Sequence, residues 1–490
     1  MNLRLALFAE PVLAIARRLF WLSLWLVWLP TVVYIFWLNQ GHNLALIQGT
    51  LFLISIVGLT MINAETAVVF YHYYLHHCPR GLLQRWLRTG HDRLKPPTAL
   101  PLPLPFVSVV VVAYLPNEQN IIEETLIHWL TQVETPVAGW ELILAYNTPV
   151  ALPVEGRLRQ LADHYPALIL LPVSHSRSKA ENLNAALRQV RGEMTCIFDA
   201  DHHPPADCFN LAWRWLAQGD YDGVQGRNII RNAKDNALTQ LISVEFECTY
   251  GVSHYGRSLL ADTAIFGGSN GYWRTSALRS LRFYANRLTE DIDATVRGLL
   301  RGYRLVHDPA IITTELAPTT LQGLWLQRQR WSQGWLEVSW LYTDRMRRSA
   351  HLDPVQKAYW ILMLIFSQCF YPLVWQVVPM MISIHWSGSE RDLAFEHLNL
   401  AVMGLLSLST VLQVNLAIRL RPQPCNYSRR HGWLYCLLSP VYFWLKVMVG
   451  MVALYNHLSG SRVWHVTARP SDTLALSLPS SKHPYPVKSR

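Results

Sequence analysis

Two kinds of hydrophobic pattern alternate along this chain. Residues 19–38, LFWLSLWLVWLPTVVYIFWL, form an uncharged run long enough to cross the core of a bilayer. Further apolar runs of that kind cover about 46–70, 358–383 and 398–418. Between the second and third, short apolar runs alternate with amphipathic patterns. FVSVVVVAY, WELILAYN, ALILLPV and MTCIFDAD read as buried strands, and NEQNIIEETLIHWL and SKAENLNAALRQV read as helices. Strand–helix alternation predicts a parallel sheet covered on both faces, with ligands bound beyond the carboxyl ends of the strands. A fifth apolar stretch, 433–458, carries Pro440 and Lys446 near its middle and is too short for two crossings.

Charge orients these pieces. Arg17 and Arg18 precede the first run, and Arg80, Arg85, Arg88, Arg93 and Lys95 follow the second. Glu390, Asp392 and Glu396 outnumber Arg391 between the third and fourth, and Arg419, Arg421, Arg429 and Arg430 follow the fourth. The positive-inside rule places the N-terminus, the central block and the 419–431 loop in the cytosol of a multi-pass cell-membrane protein. The chain divides into two N-terminal spans (1–75), a basic cytosolic linker (76–104) and a soluble domain (105–345). Two further spans (356–420), an in-plane or re-entrant helix with its following loop (421–469) and a disordered tail (470–490) complete it.

Composition agrees: 51% of the 490 residues are hydrophobic and 16% charged, against about 25% charged in soluble domains. The net charge of +10 sits largely beside the apolar runs, which argues for lipid head groups and a phosphorylated substrate as partners and against nucleic acid. The seven cysteines are scattered without a CxxC pair, so neither a zinc site nor a disulfide frame is expected.

Candidate chemistry gathers in the central block. Asp199 and Asp201 close a strand one residue apart; side chains at i and i+2 share a face, so the two carboxylates need a cation between them. Oxygen ligands suit Mg²⁺ or Mn²⁺, although D-x-D is equally the start of a turn. Ser178 and Glu181 have capping-box spacing and mark a helix start, where Lys179 and free N–H groups can face an anion. Glu290 and Asp291 open another helical pattern; they are either first-turn acids or catalytic ones, Asp291 as a general base. In LWLQRQRWSQGW, Gln327, Arg330 and Trp331 share one helical face, offering an amide, a planar fork for a diphosphate and a flat wall for a sugar ring. The same segment also reads as a membrane-surface helix with aromatic anchors.

D-A-D, T-E-D and Q-x-x-R-W, in this order and flanked by membrane spans, resemble the membrane-embedded family 2 glycosyltransferases, which include cellulose, hyaluronan, chitin and mannan synthases. The resemblance covers about residues 105–340. It implies an α/β GT-A domain, Rossmann-like, inserted between transmembrane helices, which uses Mg²⁺ or Mn²⁺ and inverts the anomeric carbon of a nucleoside diphosphate sugar. By the same resemblance Asp199 and Asp201 hold the metal, with Asp201 the closer ligand, and Asp291 of the Glu290-Asp291 pair is the base. Tyr114, Glu118, Lys179 and Asn182 line the nucleotide, with Glu181 standing where the family often has glycine. Arg330 binds diphosphate; Gln327, Trp331, Gly268 and Ser269 lie on the acceptor side. Asn147 replaces an aspartate at the end of the second strand, which leaves the nucleotide open between UDP, the usual one, and GDP. VWHVTARP, residues 463–470, is similar to the FxVTxK gating loop of cellulose synthase, so that Thr467 and Arg469 would close over the nucleotide. That requires 433–458 to return to the cytosolic side.

The acceptor is then a growing β-linked polysaccharide or, for a single-transfer enzyme, a lipid or short glycan. A membrane transporter with a nucleotide-sensing domain is a third reading; it would place ionisable residues facing one another inside several spans, and few are present.

Overall fold

In the computed structural model, residues 20–21, 23–75, 103–217, 220–388, 393–422 and 428–461 are described. The four apolar runs form β1 (Val107–Tyr114), β2 (Trp140–Asn147), β3 (Leu168–Pro172) and β4 (Met194–Asp199), paired in parallel in the order β3-β2-β1-β4. Their side chains alternate between two cores. Val107, Val109 and Val111 pack with Leu126, Trp129 and Phe209 on one face. Val110 and Val112 pack with Leu183, Ile292 and Val338 on the other.

Three further strands have no apolar-run signature: β5 (Gly223–Ile230), β6 (Gly271–Arg274) and β7 (Leu305–Glu315). They extend the sheet to the order β3-β2-β1-β4-β6-β5-β7, with β6 antiparallel to both neighbours. Several polar residues are buried here with hydrogen-bond partners from elsewhere in the sheet. Gln225 Nε2 donates to Ser269 O (3.1 Å) and its Oε1 accepts from Gly267 N (2.8 Å), while Asn228 Nδ2 donates to Glu315 Oε2 (2.7 Å). The β5–β7 register shifts between Gly226 and Arg227, opposite the stretch of β7 that contains Pro309, a residue a regular ladder would not accept.

Among the described residues, four helices are long and apolar enough to cross a membrane: Ala45–Tyr74, Pro354–Ser387, His397–Leu420 and Arg429–Leu458. Leu24–Asn39, within the first predicted span, is shorter. Buried Glu65 of Ala45–Tyr74 accepts from Tyr359 and faces Arg257 of the sheet domain at 3.5 Å, tying two apolar helices to that domain. The stretch expected to form an in-plane or re-entrant helix, 433–458, lies within one helix, Arg429–Leu458, that runs unbroken through Pro440. Thirty residues make a helix of about 45 Å, and the ring removes only one backbone hydrogen bond.

Candidate active site

The carboxyl ends of β1, β2 and β4 come level, with Tyr114 opposite Asn147 and Val112 opposite Asp199. Asn147 Oδ1 accepts from Asn182 Nδ2 at 2.8 Å, and Asn147 Nδ2 donates to Ser176 O at 3.1 Å. Asn182 is buried, so this pair pins the Lys179–Leu187 helix to the strand ends. Ser178 caps that helix by accepting from Glu181 N, while Glu181 reaches back to Arg177 N. Glu118 turns inward as well: its carboxylate accepts from Tyr114 N (2.5 Å) and shapes the turn after β1.

A basic side chain of the protein faces each carboxylate of the D-x-D pair. Lys179 Nζ lies 2.5 Å from Asp199 Oδ1, donates to Gly268 O (2.8 Å) and stands 3.9 Å from Glu290. Burial opposes the ammonium charge, but Asp199, Glu290 and Asp291 outweigh it and hold the lysine above its ordinary range. Asp201 is 3% exposed; its Oδ2 accepts from Leu316 N (3.0 Å) and its Oδ1 faces His202 Nδ1 (3.2 Å). His202 also bonds Glu315 (3.0 Å); burial works against its protonation, yet the two carboxylates raise it to about 9. Arg231 donates to Asp201 O. Asp199, with its side chain 32% exposed, is therefore the more accessible of the pair.

The loop 266–271 joins this corner to the second acid cluster. Ser269 Oγ accepts from Asp199 N (3.0 Å). Gly268 adopts φ +87°, and a β-carbon there would lie 2.8 Å from Asp291 Oδ2 and 3.3 Å from Lys179 Nζ, so the position needs glycine twice over. Asp291 lies in the first turn of the Glu290–Leu300 helix and accepts from Ile292 N (2.9 Å). Burial first and neighbouring Glu290 second raise its carboxyl to about 7, against the pull of Lys179, the Ile292 N–H and Arg330.

Arg330 arrives on the Leu321–Arg348 helix, capped by Thr320 through Gly323 N. Gly334 of that helix rests directly on Thr289, and a β-carbon there would overlap the threonine side chain. Gly334→Ala is therefore expected to push Arg330 away from Asp291 and lower turnover at least about tenfold, the scale on which small displacements of positioned groups act. Unchanged kinetics in that variant would show the contact to be incidental. Gln327 Oε1 is buried with no hydrogen-bond partner among the described residues. Trp331 packs beside Tyr250, Tyr442 and Leu445, with the Arg328 guanidinium 4.2 Å over its ring.

Asp199, Lys179, Gly268, Ser269, Glu290, Asp291 and Arg330 thus share one corner, with Asp201 behind it and Asn147 and Asn182 sealing the strand ends. Thr467 and Arg469 lie outside the described residues. A cluster that the motifs did not signal supports Trp331: Glu245 bonds Arg328 (2.7 Å), Lys446 (2.8 Å) and Tyr442 (2.8 Å). Burial would raise Glu245, but Arg328 and Lys446 bring it down to about 2. The one local clue was a charged residue in each of two otherwise apolar stretches.

Residues 195–455, more than half of the chain, match the model of glycosyl transferase family group 2. The chain is 28% identical over 235 residues to the probable glycosyltransferase YdaM of Bacillus subtilis (strain 168), covering 47% of this chain and 55% of that one. It is also 28% identical over 172 residues to the poly-beta-1,6-N-acetyl-D-glucosamine synthase of Staphylococcus aureus (strain COL), covering 35% and 42%. The chain thus spans about half the length of these relatives. The fold is similar to that of mannosyltransferase PcManGT from Pyrobaculum calidifontis, solved with GDP-Man and Mn²⁺, at a TM-score of 0.53 and 22% identity, covering 84% of this chain and all of that one. With a mixed GT-A-type sheet and its charged corner flanked by apolar helices, this chain belongs to glycosyl transferase family group 2.

Proposed function

We propose that the protein transfers a sugar, with inversion, from a nucleoside diphosphate sugar to a growing β-linked polysaccharide at the membrane, with the catalytic domain in the cytosol. The observation that carries this reading is the meeting of Asp199, Lys179, Asp291 and Arg330 around the Gly268 loop: a place for an anionic leaving group lies beside a carboxyl titrating near neutrality. The polysaccharide synthase among the relatives supports a polymeric acceptor.

The donor set fits a divalent ion of limited kind. Among the described residues no three acidic, histidine or cysteine side chains form a cage, and Asp199 is the accessible oxygen ligand. Asp199 would hold Mg²⁺ or Mn²⁺ here, with Asp201 behind it. The ion, when bound, neutralises charge on the departing diphosphate. The PcManGT complex with Mn²⁺ is in keeping with this.

The chain's own residues do the rest. Lys179 and Arg330 place positive potential where the diphosphate charge develops. Trp331 presents its face to the acceptor ring, and Gln327 offers its buried amide oxygen to a hydroxyl. The acceptor oxygen bonds to the anomeric carbon as the bond to the diphosphate breaks; the electron pair leaves with the diphosphate and the proton passes to Asp291.

The course of Arg429–Leu458 supports a tail on the catalytic side. Lys446 and Tyr442 meet Glu245 midway along it, His457 packs on Trp340 at 5.1 Å, and Ser461 O accepts from Gln333 Nε2 at 2.8 Å. The helix so placed packs against the sheet domain and brings Ser461 beside the Leu321–Arg348 helix.

Purified protein given UDP- and GDP-sugars with Mn²⁺ or Mg²⁺ is expected to release nucleoside diphosphate and build long products. Chelation should abolish both, and the metal should restore them. Full turnover in excess chelator would remove the metal from the reading, and products of one added sugar would replace the polymer with a lipid or short-glycan acceptor.

A further inference from the structure

We propose that the groove between the Leu321–Arg348 and Pro354–Trp375 helices is a binding site for an anionic glycerophospholipid. The groove has a volume of about 370 Å³ and is lined by Ser339, Trp340, Thr343, Asp344, Arg347, Ile361, Ile365 and Gln368. Its polar floor is internally satisfied. Ser339 bonds Ser367 (2.9 Å), and Gln368 Nε2 donates to Thr343 Oγ1 (2.9 Å), whose hydroxyl bonds Ser339 O (2.6 Å). What remains open is apolar: Trp340 is 54% exposed and Ile365 41%, with Leu341 and Leu362 exposed beside them. An apolar surface of this kind, over a satisfied floor, requires a cover.

Charge at one end specifies the cover. Arg345, Arg347 and Arg348 stand against one acid, Asp344. Arg347 takes Asp344 Oδ1 (2.9 Å) and Arg348 takes Oδ2 (3.0 Å), so each fork keeps further donors. Guanidinium groups match the planar, bidentate geometry of a phosphodiester. The level in the fold agrees. Trp360 still bonds Thr263 of the sheet domain through its indole N–H (2.9 Å), whereas Phe366, further along, packs on Gly58 of the Ala45–Tyr74 helix. The groove therefore lies where a candidate span leaves the sheet domain, with the arginines near the start of that span and Ile361 and Ile365 further along it. At about 30 Å³ for each water-sized group, it holds a stretch of acyl chain on the order of a dozen carbons. A soluble anion would leave Trp340, Ile361 and Ile365 uncovered, and a neutral lipid would leave the arginine forks unused.

The same helix carries Arg330 and Trp331, so a lipid here would hold the far end of the proposed site, although the binding itself does not rest on the reading of the donor. The test uses the full chain in lipid nanodiscs with brominated phosphatidylglycerol or brominated phosphatidylcholine. Tryptophan fluorescence is measured in wild type and Trp340→Phe, and the difference isolates Trp340. The expected result is markedly stronger quenching by the anionic lipid. Arg347→Gln/Arg348→Gln should reduce that preference on the order of tenfold while leaving nucleoside diphosphate release unchanged. Equal quenching by the two lipids, or a preference that survives in the double variant, overturns the proposal. So does displacement by inorganic phosphate alone, which would make it a free-anion site. Absence of Trp340 quenching by either lipid overturns it too, in favour of a protein cover such as a second copy.

Discussion

Asp291→Asn retains donor binding and lowers transfer by about 10²–10⁴-fold, the range for loss of a general base. The wild-type carboxyl, raised to about 7 by burial and by Glu290, must be ionised to accept the acceptor's proton. Activity should therefore be high above pH 7 and fall tenfold per unit below it, as the carboxyl protonates. The Asn variant should lose this acid limb along with its rate. Glu290→Gln supplies the sign test: removing the neighbouring negative charge lowers the carboxyl's pKa and moves the limb to lower pH. Folding is checked by retained nucleotide binding, since among the described residues the Asp291 carboxylate bonds only the Ile292 N–H. An Asn variant with near-normal turnover, or a limb that moves upward in Glu290→Gln, would transfer the base role to another group.

Glu245→Ala is expected to be the most destabilising single change. It leaves Arg328 and Lys446 facing each other with no carboxylate, and uncompensated buried charge costs about 3–5 kcal/mol. The partial exposure of Lys446 places the effect toward the lower end. Because Arg328 lies over Trp331, acceptor use should suffer before donor hydrolysis does. Thermal unfolding of the purified protein reads the stability term. Adding Lys446→Met to Glu245→Ala should recover part of the loss, because one stranded charge is gone, and such non-additivity is the mark of direct coupling. Strictly additive losses would show that the three residues merely sit near each other.

The legible parts of this molecule are those written in neighbouring residues. Runs such as VSVVVVA announce β1 because both faces of a parallel strand are buried, and Ser178 announces its helix through a bond three residues away. D-A-D at a strand end, T-E-D at a helix start and the 3–4 spacing of Gln327, Arg330 and Trp331 marked the candidate site for the same reason. β5, β6 and β7 stayed hidden. Their buried Gln225, Asn228 and His307 look like loop residues until partners such as Ser269, Glu315 and Tyr250 are brought to them from 44, 87 and 57 positions away.

By itself, then, the order of residues determined the sheet's apolar half, the positions of the apolar helices and the types of group that can do chemistry. Only the tertiary structure decided that Lys179 takes Asp199, that His202 takes Asp201, that Gly268 admits Asp291, and that Glu245 is shared between Arg328 and Lys446. Hydrophobic periodicity and helix capping act over a few residues and leave local patterns. Ion pairing acts over a few ångströms, and what brings its partners within that range is the packing of helices and strands far apart in the chain.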